Sequence, residues 1–230
     1  MASLGHEQVR DAISAGMDWY LEQPPVTRTL LALALGTTAS CHLGLVSPAW
    51  LYFDLRLIVA ERQLWRLATC FTYFGPLGMS LALRLYLLGS HGVRLEQGAF
   101  RGRGADFAFL LALCAVALLL AASLDLAQLP WMGEALTFAL IYVWARRNEF
   151  ARLRLLGLPF DIRAPYMPWV MLMLSVSMGA EPDEGFAGIV VGHCYYFAAD
   201  VYPICSSVRG GGRLQLVRTP RLFKWITGLR

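Results

Sequence analysis

Charged residues are scarce in this chain of 230 residues: only 16% are charged, whereas 57% are hydrophobic and the mean hydropathy is +0.50. A soluble domain usually carries about 25% charged residues, so these charges are too few to cover a soluble surface. The composition excludes a disordered chain, a disulfide-stapled secreted module and a nucleic-acid-binding domain. It favours an all-α polytopic membrane protein.

Paired cysteines and nucleotide-binding loops are also lacking. The five cysteines form no CxxC pair, and their number is odd. Most of them lie in apolar runs, where a free cysteine behaves as a small hydrophobe. We therefore expect no disulfide framework, no metal site and no cofactor. No GxxxxGK[ST] loop is present, so the energy for any transport must come from a partner.

Six apolar segments are candidates for membrane spans, because a transmembrane helix needs about 20 mostly apolar residues. They are Leu30–Val46, Leu67–Leu83, Phe107–Leu124, Leu126–Ala145, Ala164–Ala180 and Gly185–Ala199, the last continuing past Asp200 to Val208. Their uncharged runs would cover only roughly 23–27 Å of a hydrocarbon core about 30 Å thick. We expect the bilayer to thin around such short helices.

Six spans place both termini on one side of the membrane, and the basic residues decide which side. Sixteen of them lie in the segments on the side of the termini, which are 1–28, 85–105, 146–163 and 209–230. Three lie in the first loop on the opposite side. The positive-inside rule therefore predicts that both termini are cytosolic.

Three regions follow from these spans: an N-terminal cytosolic segment over 1–28, a six-helix membrane domain over 29–208 and a short basic cytosolic tail over 209–230. Apolar residues recur at helical spacing in His6–Gln23, which predicts an amphipathic helix on the membrane surface. Residues 1–28 lack the apolar core of a cleavable signal peptide, so we expect the first span to act as the targeting signal. The basic tail suits anionic lipid.

The first loop, Ser47–Arg66, is apolar for a segment outside the membrane. Its aromatic and aliphatic residues predict that it lies half-immersed in the bilayer. The loop ends at Trp65 and Arg66, which we expect to brace it. The alternative is an interfacial anchor pair, with the ring and the cation at the lipid headgroups.

Several stretches of the chain, taken in order, resemble the Derlin family, the catalytically inactive rhomboid relatives of the endoplasmic reticulum. They are Pro24–Arg28, Gln63–Arg66, Leu95–Phe107, Tyr142–Asn148, Ala164–Trp169, Gly188–His193 and Asp200–Pro203. The residues of the cytosolic motifs are Glu96, Gly98, Arg101, Gly102, Arg103, Arg146, Arg147 and Asn148. The resemblance implies a rhomboid-like bundle of six transmembrane helices in the endoplasmic reticulum membrane.

The resemblance also implies a function. Derlins help to move misfolded proteins from the endoplasmic reticulum to the cytosol for ubiquitination and proteasomal degradation. The implied partners are a membrane ubiquitin ligase complex, an AAA-type unfoldase, misfolded proteins, membrane lipid and further copies of the chain. The tail is too short to hold the family's Phe- and Gly-containing box, so we expect indirect recruitment of the unfoldase.

The sequence lacks the serine that a rhomboid protease needs. The motif GxSG is absent, and the fourth span carries only Thr137 and Tyr142 as hydroxyl residues. Gly188 and Gly192 are expected to pack the sixth span closely, and His193 is expected to be a vestigial base. We expect a pseudoprotease, with Thr137 as the substitute nucleophile in the enzyme alternative.

The expected mechanism uses a polar cavity that opens toward the lumen, near His193 and the ends of the second and fifth spans. A lateral gate between these two spans admits the misfolded chain. Glu134 and Asp200 are expected to face the bundle interior or the interface. Three alternatives stay open: an intramembrane protease, a Derlin-like component of preprotein import across outer plastid membranes, and a lipid-scrambling or scaffolding protein.

Overall fold

The computed structural model describes residues 20–154 and 161–208, together with 217, 219–221, 223 and 224. Most of the predicted amphipathic helix His6–Gln23 and most of the basic tail therefore lie outside the described residues. Within them the chain is mostly helical, which confirms the expectation from hydropathy.

In the part of the chain that the structure describes, six long helices form the bundle and shorter elements connect them. The long helices are α1 (Pro25–His42), α4 (Met79–Arg94), α5 (Gly104–Ser123), α6 (Gly133–Arg147), α7 (Met167–Ser177) and α8 (Pro182–Tyr196). The short helices are α2 (Leu55–Ala60), α3 (Arg66–Thr69) and α9 (Tyr202–Val208). Pro48–Trp50 and Ala164–Tyr166 are 3₁₀ turns, and Leu95–Ala99 and Phe197–Val201 are π-helical turns.

A two-stranded antiparallel sheet joins α6 to α7, which the all-α prediction did not include. Its strands are β1 (Arg152–Arg154) and β2 (Asp161–Arg163), with Leu153 opposite Ile162. Among the described helices, only α5 is both long and apolar enough to qualify as a membrane span by length and hydropathy. The prediction Phe107–Leu124 therefore matches a helix of the expected kind.

The second predicted span, Leu67–Leu83, is wrong in its bounds. Only Arg66–Thr69 is helical at its start, and the chain then turns until Met79. Gly75, at a φ of +105°, and the following Pro76 interrupt the helix. The helix that forms instead runs to Arg94 and contains Arg84, which the prediction placed at a helix end.

The helix lengths also correct the expectation that all six spans are short. The π-helical turn Leu95–Ala99 extends α4, and the turn Phe197–Val201 joins α8 to α9 without a break. Both helices therefore exceed the uncharged runs from which their lengths were predicted. By contrast, α7 has only 11 residues and α6 only 15.

Helix α6 is the centre of the bundle. Every residue from Gly133 to Ala145 is buried, and α4, α5, α7 and α8 pack around it. A helix that is buried on all sides needs apolar residues on all sides, and α6 has them apart from Glu134 and Thr137. The core contains Phe107, Leu110, Phe138, Leu140 and Val143, none of which is exposed.

The two ends of the bundle are distinguished by their contacts. At the proximal end α1 begins and α4 and α6 end, and Val26 contacts Glu96 there. At the distal end the first loop meets the start of α6: the Phe53 N–H donates to Pro130 O at 2.8 Å, and the Met132 N–H donates to Cys70 O at 2.8 Å.

Candidate functional site

Glu96 caps the N-terminus of α1 from a distance of some seventy residues along the chain. Its carboxylate accepts the Val26 and Thr27 N–H groups at 3.0 and 2.8 Å and the Thr27 hydroxyl at 2.7 Å. Pro24 offers no side-chain cap, so Glu96 satisfies N–H groups that lack a partner within the helix. Its charge also favours the positive end of the helix dipole. The contact fixes α1 to the end of α4.

Arg147 connects both π-helical turns at the proximal end. Its guanidinium binds the Asp200 carboxylate with two hydrogen bonds, at 2.8 and 3.1 Å. The same group lies 4.8 Å from the centre of the Phe100 ring. Such bidentate pairs are strong and geometrically specific, so Arg147 holds the ends of α4, α6 and α8 together. This geometry agrees with the expectation that Asp200 faces the bundle or the interface.

A cavity of about 860 Å³ lies beside this pair. Arg103 and Asp106 line it together with Arg147 and Asp200, and Lys224 of the tail lies 3.3 Å from the Asp106 carboxylate. The cavity therefore carries charges of both signs.

The remaining motif residues that the sequence predicts to be cytosolic lie around the same proximal end, mostly exposed. Arg146 is exposed and lies 5.6 Å from the Tyr196 ring, while the Asn148 amide donates to Trp144 O. Gly98 lies in the first π-helical turn, and Arg101 is exposed beside Gly102, whose φ is +70°. The structure thus brings together motifs that are far apart in sequence. Their functional role stays a prediction.

Gly188 and Gly192 form a seam where α8 lies directly on α6. A Cβ at Gly188 would clash with the Ala135 carbonyl oxygen, and one at Gly192 would lie 2.9 Å from Ala139 O. Both neighbours are backbone atoms, which cannot move aside as a side chain can. Successive glycines meet successive turns of α6, so α6 and α8 run parallel, with close approach permitted by the missing side chains.

His193 lies at the outer edge of this seam and is exposed. Its Nδ1 is hydrogen-bonded to the Tyr142 hydroxyl at 2.7 Å. Thr137 is buried, and its hydroxyl donates to the carbonyl of Gly133 one turn earlier in its own helix. The substitute nucleophile is therefore bonded to the backbone, and the histidine is bonded to a phenol. This arrangement offers Thr137 no activation by His193.

Arg66 lies at the centre of the first loop's hydrogen bonding. It donates to Gln63 Oε1 at 2.7 Å, to Ala49 O at 3.1 Å and to Tyr52 O at 2.9 Å. The residue is buried, whereas Trp65 is 55% exposed. The contacts of Arg66 are those a brace requires, and the ring of Trp65 faces outward. The role of the pair in function stays a prediction.

A buried ion pair joins α4 and α6 near the distal end. Arg84 Nε lies 2.8 Å from Glu134 Oε2, and Arg84 Nη1 donates to Phe74 O at 2.9 Å. Glu134 is only 5% exposed, as expected for an acid that faces the bundle interior. Ionised groups within an apolar bundle are costly unless they are paired. The pair explains why a helix can form through Arg84.

A cavity of about 240 Å³, lined by aromatic and charged side chains, adjoins this ion pair between the start of α4 and the segment that joins α7 to α8. It is lined by Tyr73, Phe74, Gly75, Pro76, Arg84, Trp131, Glu134, Gly179, Glu181 and Glu184. The predicted cavity at the ends of the second and fifth spans thus has a counterpart here. His193 does not line this cavity: it bonds to Tyr142, which lies five residues before the proximal end of α6.

Sequence reasoning did not select Arg84 and Glu184 as site residues. Each lies one residue outside a predicted span, Arg84 after Leu67–Leu83 and Glu184 before Gly185–Ala199. The signal that could have found them is an unmatched charge inside or beside an apolar run, since such charges in membrane helices mark functional sites.

The features described so far define a class: a mostly helical protein whose bundle buries ion pairs and close glycine contacts within apolar helices. The sequence profile of the Der1-like family matches residues 23–221. The chain belongs to this family. It is 35% identical over 216 residues to Derlin-2.1 of Arabidopsis thaliana, covering 90% of this chain and 86% of the relative. The match to Derlin-2.2 of Zea mays is also 35%, covering 90% and 84%.

A relative from a third organism gives a similar match. The probable derlin-2 homolog of Dictyostelium discoideum is 34% identical over 212 residues, covering 90% of this chain and 81% of that relative. Membership of this membrane-associated family implies a role related to endoplasmic-reticulum-associated degradation. It also places the chain among rhomboid-like proteins that are generally inactive as proteases.

Proposed function

We propose that this chain is a multi-pass protein of the endoplasmic reticulum membrane that moves misfolded proteins to the cytosol for ubiquitin-proteasome degradation. It acts as a pseudoprotease, without a catalytic nucleophile. The supporting geometry is the bonding of Thr137 to its own helix and of His193 to Tyr142. Family membership supports movement of misfolded proteins toward the cytosol. The structure supports the route through the membrane that is described next.

The six spans of this proposal are the long helices α1, α4, α5, α6, α7 and α8. The parallel contact between α6 and α8 agrees with two spans separated by one antiparallel span, α7. The proximal end carries Arg103, Arg146 and Arg147 and is the cytosolic end by the positive-inside rule. The first loop and the cavity around Arg84 then lie at the luminal end.

The observation that carries the route is the length of α7. Eleven residues at 1.5 Å each give roughly 17 Å, and the preceding 3₁₀ turn adds about 6 Å. The sum is about 7 Å short of a hydrocarbon core of about 30 Å. α7 lies on the outside of the bundle, with Met173 75% and Trp169 46% exposed. Lipid beside it must thin or tilt away to match it.

This short helix borders the route by which a polypeptide enters. The cavity around Arg84 lies at the distal ends of α4 and α7, on the two sides of the proposed lateral gate. Thin lipid beside a cavity that contains charged side chains lowers the cost of bringing hydrophilic peptide into the membrane. A membrane ubiquitin ligase complex receives the substrate on the cytosolic side, and an AAA-type unfoldase, recruited indirectly, supplies the pulling force.

The function is tested by complementation in cells that lack their own Derlins. We expect this chain to restore the decay of a misfolded luminal protein in a pulse-chase measurement. Arg66→Ala is expected to slow the decay, because three hydrogen bonds that hold the first loop are lost. The matched control Arg56→Ala changes an exposed arginine of the same loop. Equal decay with and without the chain would contradict the proposed function.

The route is tested by cryo-electron microscopy of the protein in nanodiscs. We expect the lipid layer beside α7 to be several ångströms thinner than the layer beside α5, which has 20 residues and roughly the full core thickness. A uniform thickness around the protein would reject thinning while leaving the degradation function intact.

A further inference from the structure

The cavity at the distal end contains a buried carboxylate that the ion pair does not use. Glu184 lies in the first turn of α8, is only 9% exposed and lines the cavity. Among the described residues, its carboxylate makes neither a hydrogen bond nor an ion pair. Arg84, the one cation lining the cavity, is bound to Glu134 and to the Phe74 carbonyl.

The charges around the cavity favour a cation as its ligand. Glu134, Glu184 and Glu181 supply three carboxylates against the single guanidinium of Arg84. Glu134 is paired with Arg84, whereas the Glu184 carboxyl lines the cavity without a hydrogen bond or ion pair among the described residues. A buried charge of this kind is costly until a partner of opposite charge arrives. Glu181 is exposed at the mouth, where it can attract the partner from the aqueous side.

The aromatic walls and the small volume of the cavity also bear on which cation it accepts. Tyr73 and Trp131 lie with ring centres 5.6 Å apart, and aromatic faces attract ammonium and guanidinium groups. The volume of about 240 Å³ is below the roughly 300–1,000 Å³ of pockets for drug-sized molecules. The space therefore suits one side chain. Gly75 and Gly179 border it; a Cβ at Gly75 would contact Arg84 Nη1 at 3.4 Å, whereas one at Gly179 would meet no atom within 4 Å.

We propose that this cavity binds one basic side chain, lysine or arginine, of the polypeptide in transit, with Glu184 as the counter-charge. The inference rests on the proposed function, since it requires that a polypeptide passes the distal ends of α4 and α7. Arginine and lysine are among the residues that enter hydrocarbon at the greatest cost. A buried carboxylate at the entrance offsets part of that cost for basic segments of the substrate.

The experiment places a photo-crosslinking p-benzoylphenylalanine at Tyr73 in the full chain, in membranes where degradation proceeds. The substrate is a misfolded luminal protein with one test residue, arginine, lysine or glutamine, in a glycine-serine segment. We expect arginine and lysine to crosslink more than glutamine, on the order of tenfold, as one hydrogen bond to a charged group provides.

Two variants connect the preference to Glu184. Glu184→Gln keeps the side-chain volume and removes the charge, so it should reduce the arginine yield to the glutamine yield and leave the glutamine yield unchanged. Asp183→Asn removes a charge from the adjacent, exposed residue and should keep the preference. The unchanged glutamine yield shows that the cavity of the first variant is intact.

Several results would overturn the inference. One is an equal crosslinking yield for arginine and glutamine substrates when Glu184 is unaltered. Another is a preference for arginine that survives Glu184→Gln. A third is a crosslink to lipid instead of substrate. If no substrate forms an adduct at position 73 while degradation still depends on the chain, this inference alone is overturned. Degradation that does not depend on the chain would reject the proposed function as well.

Discussion

The glycine seam gives the sharpest stability prediction, because four glycines differ in what a methyl group would meet. At Gly188 a Cβ would clash with the Ala135 carbonyl oxygen and lie 2.8 Å from Phe138 Cβ. Overpacking of this kind costs about 1–3 kcal/mol, and a backbone oxygen cannot relieve it without moving a helix. Replacing glycine by alanine inside a helix otherwise raises the free energy of unfolding by about 1 kcal/mol. Because the clash at Gly188 is the most severe of the series, we expect Gly188→Ala to lower the free energy of unfolding by up to about 2 kcal/mol.

The other glycines set the order of the series. Gly192→Ala places its methyl group 2.9 Å from Ala139 O, which predicts a loss below about 1 kcal/mol. Gly185→Ala meets chiefly the end of the Leu172 side chain, which can rotate away, so it should be close to neutral. Gly36→Ala is the matched control: no atom lies within 4 Å of its Cβ position, and the helix should gain about 1 kcal/mol.

The assay is reversible unfolding in detergent micelles, followed by far-ultraviolet circular dichroism, with all four variants in one lipid-detergent mixture. The reasoning predicts an order from least to most stable, with Gly188→Ala first and Gly36→Ala last. A Gly188→Ala variant as stable as Gly36→Ala would refute the close approach of α8 to the backbone of α6. A decrease that is equal at all four glycines would show a general effect of the substitution instead.

The remaining predictions concern the ends of the bundle. Arg66→Ala should increase proteolytic cleavage of the first loop in detergent-permeabilised vesicles more than Trp65→Ala, because of these two side chains only the arginine holds the loop by hydrogen bonds; equal cleavage would contradict this. Glu96→Ala should lower the free energy of unfolding by about 1–3 kcal/mol, since buried N–H groups lose their acceptor, whereas the exposed neighbour Gln97→Ala should change little in the same assay. Purified protein in liposomes should not cleave rhomboid substrates, and cleavage abolished by His193→Ala would instead support an enzyme.

Hydropathy predicted the helical elements well where a helix is long, apolar and uninterrupted. Helix α5 matches its prediction within three residues at the start, because no charge or proline lies between Phe107 and its last residue, Ser123. The GxxxG pattern at Gly188 and Gly192 likewise predicts the close contact between α6 and α8, since two glycines four residues apart are recognisable from the sequence of one helix alone. These features depend on neighbours within a few turns of the same chain segment.

The features that were missed depend on partners far along the chain. Arg84 was left outside the predicted span Leu67–Leu83 because its counter-charge, Glu134, lies fifty residues later in the chain. The start of α1 at Pro25 was not predicted, because its cap is Glu96, which lies in another helix. A local pattern gives the cost of a buried charge or an unpaired N–H group, but it does not identify the residue that compensates it.

The two ion pairs at the ends of α6 determine which movements the bundle can make. Glu134 binds α4 at the distal end, and Arg147 binds Asp200 after α8 at the proximal end. A slide of α6 by one helical turn, about 5.4 Å, would break both pairs and misalign the seam at Gly188. The helices α4, α6 and α8 are therefore fixed in register. The described contacts of α7 with this unit are mostly apolar, apart from the hydrogen bond between Ser175 and Glu134, so in the proposed function we expect an opening for substrate to move α7 away from a fixed frame.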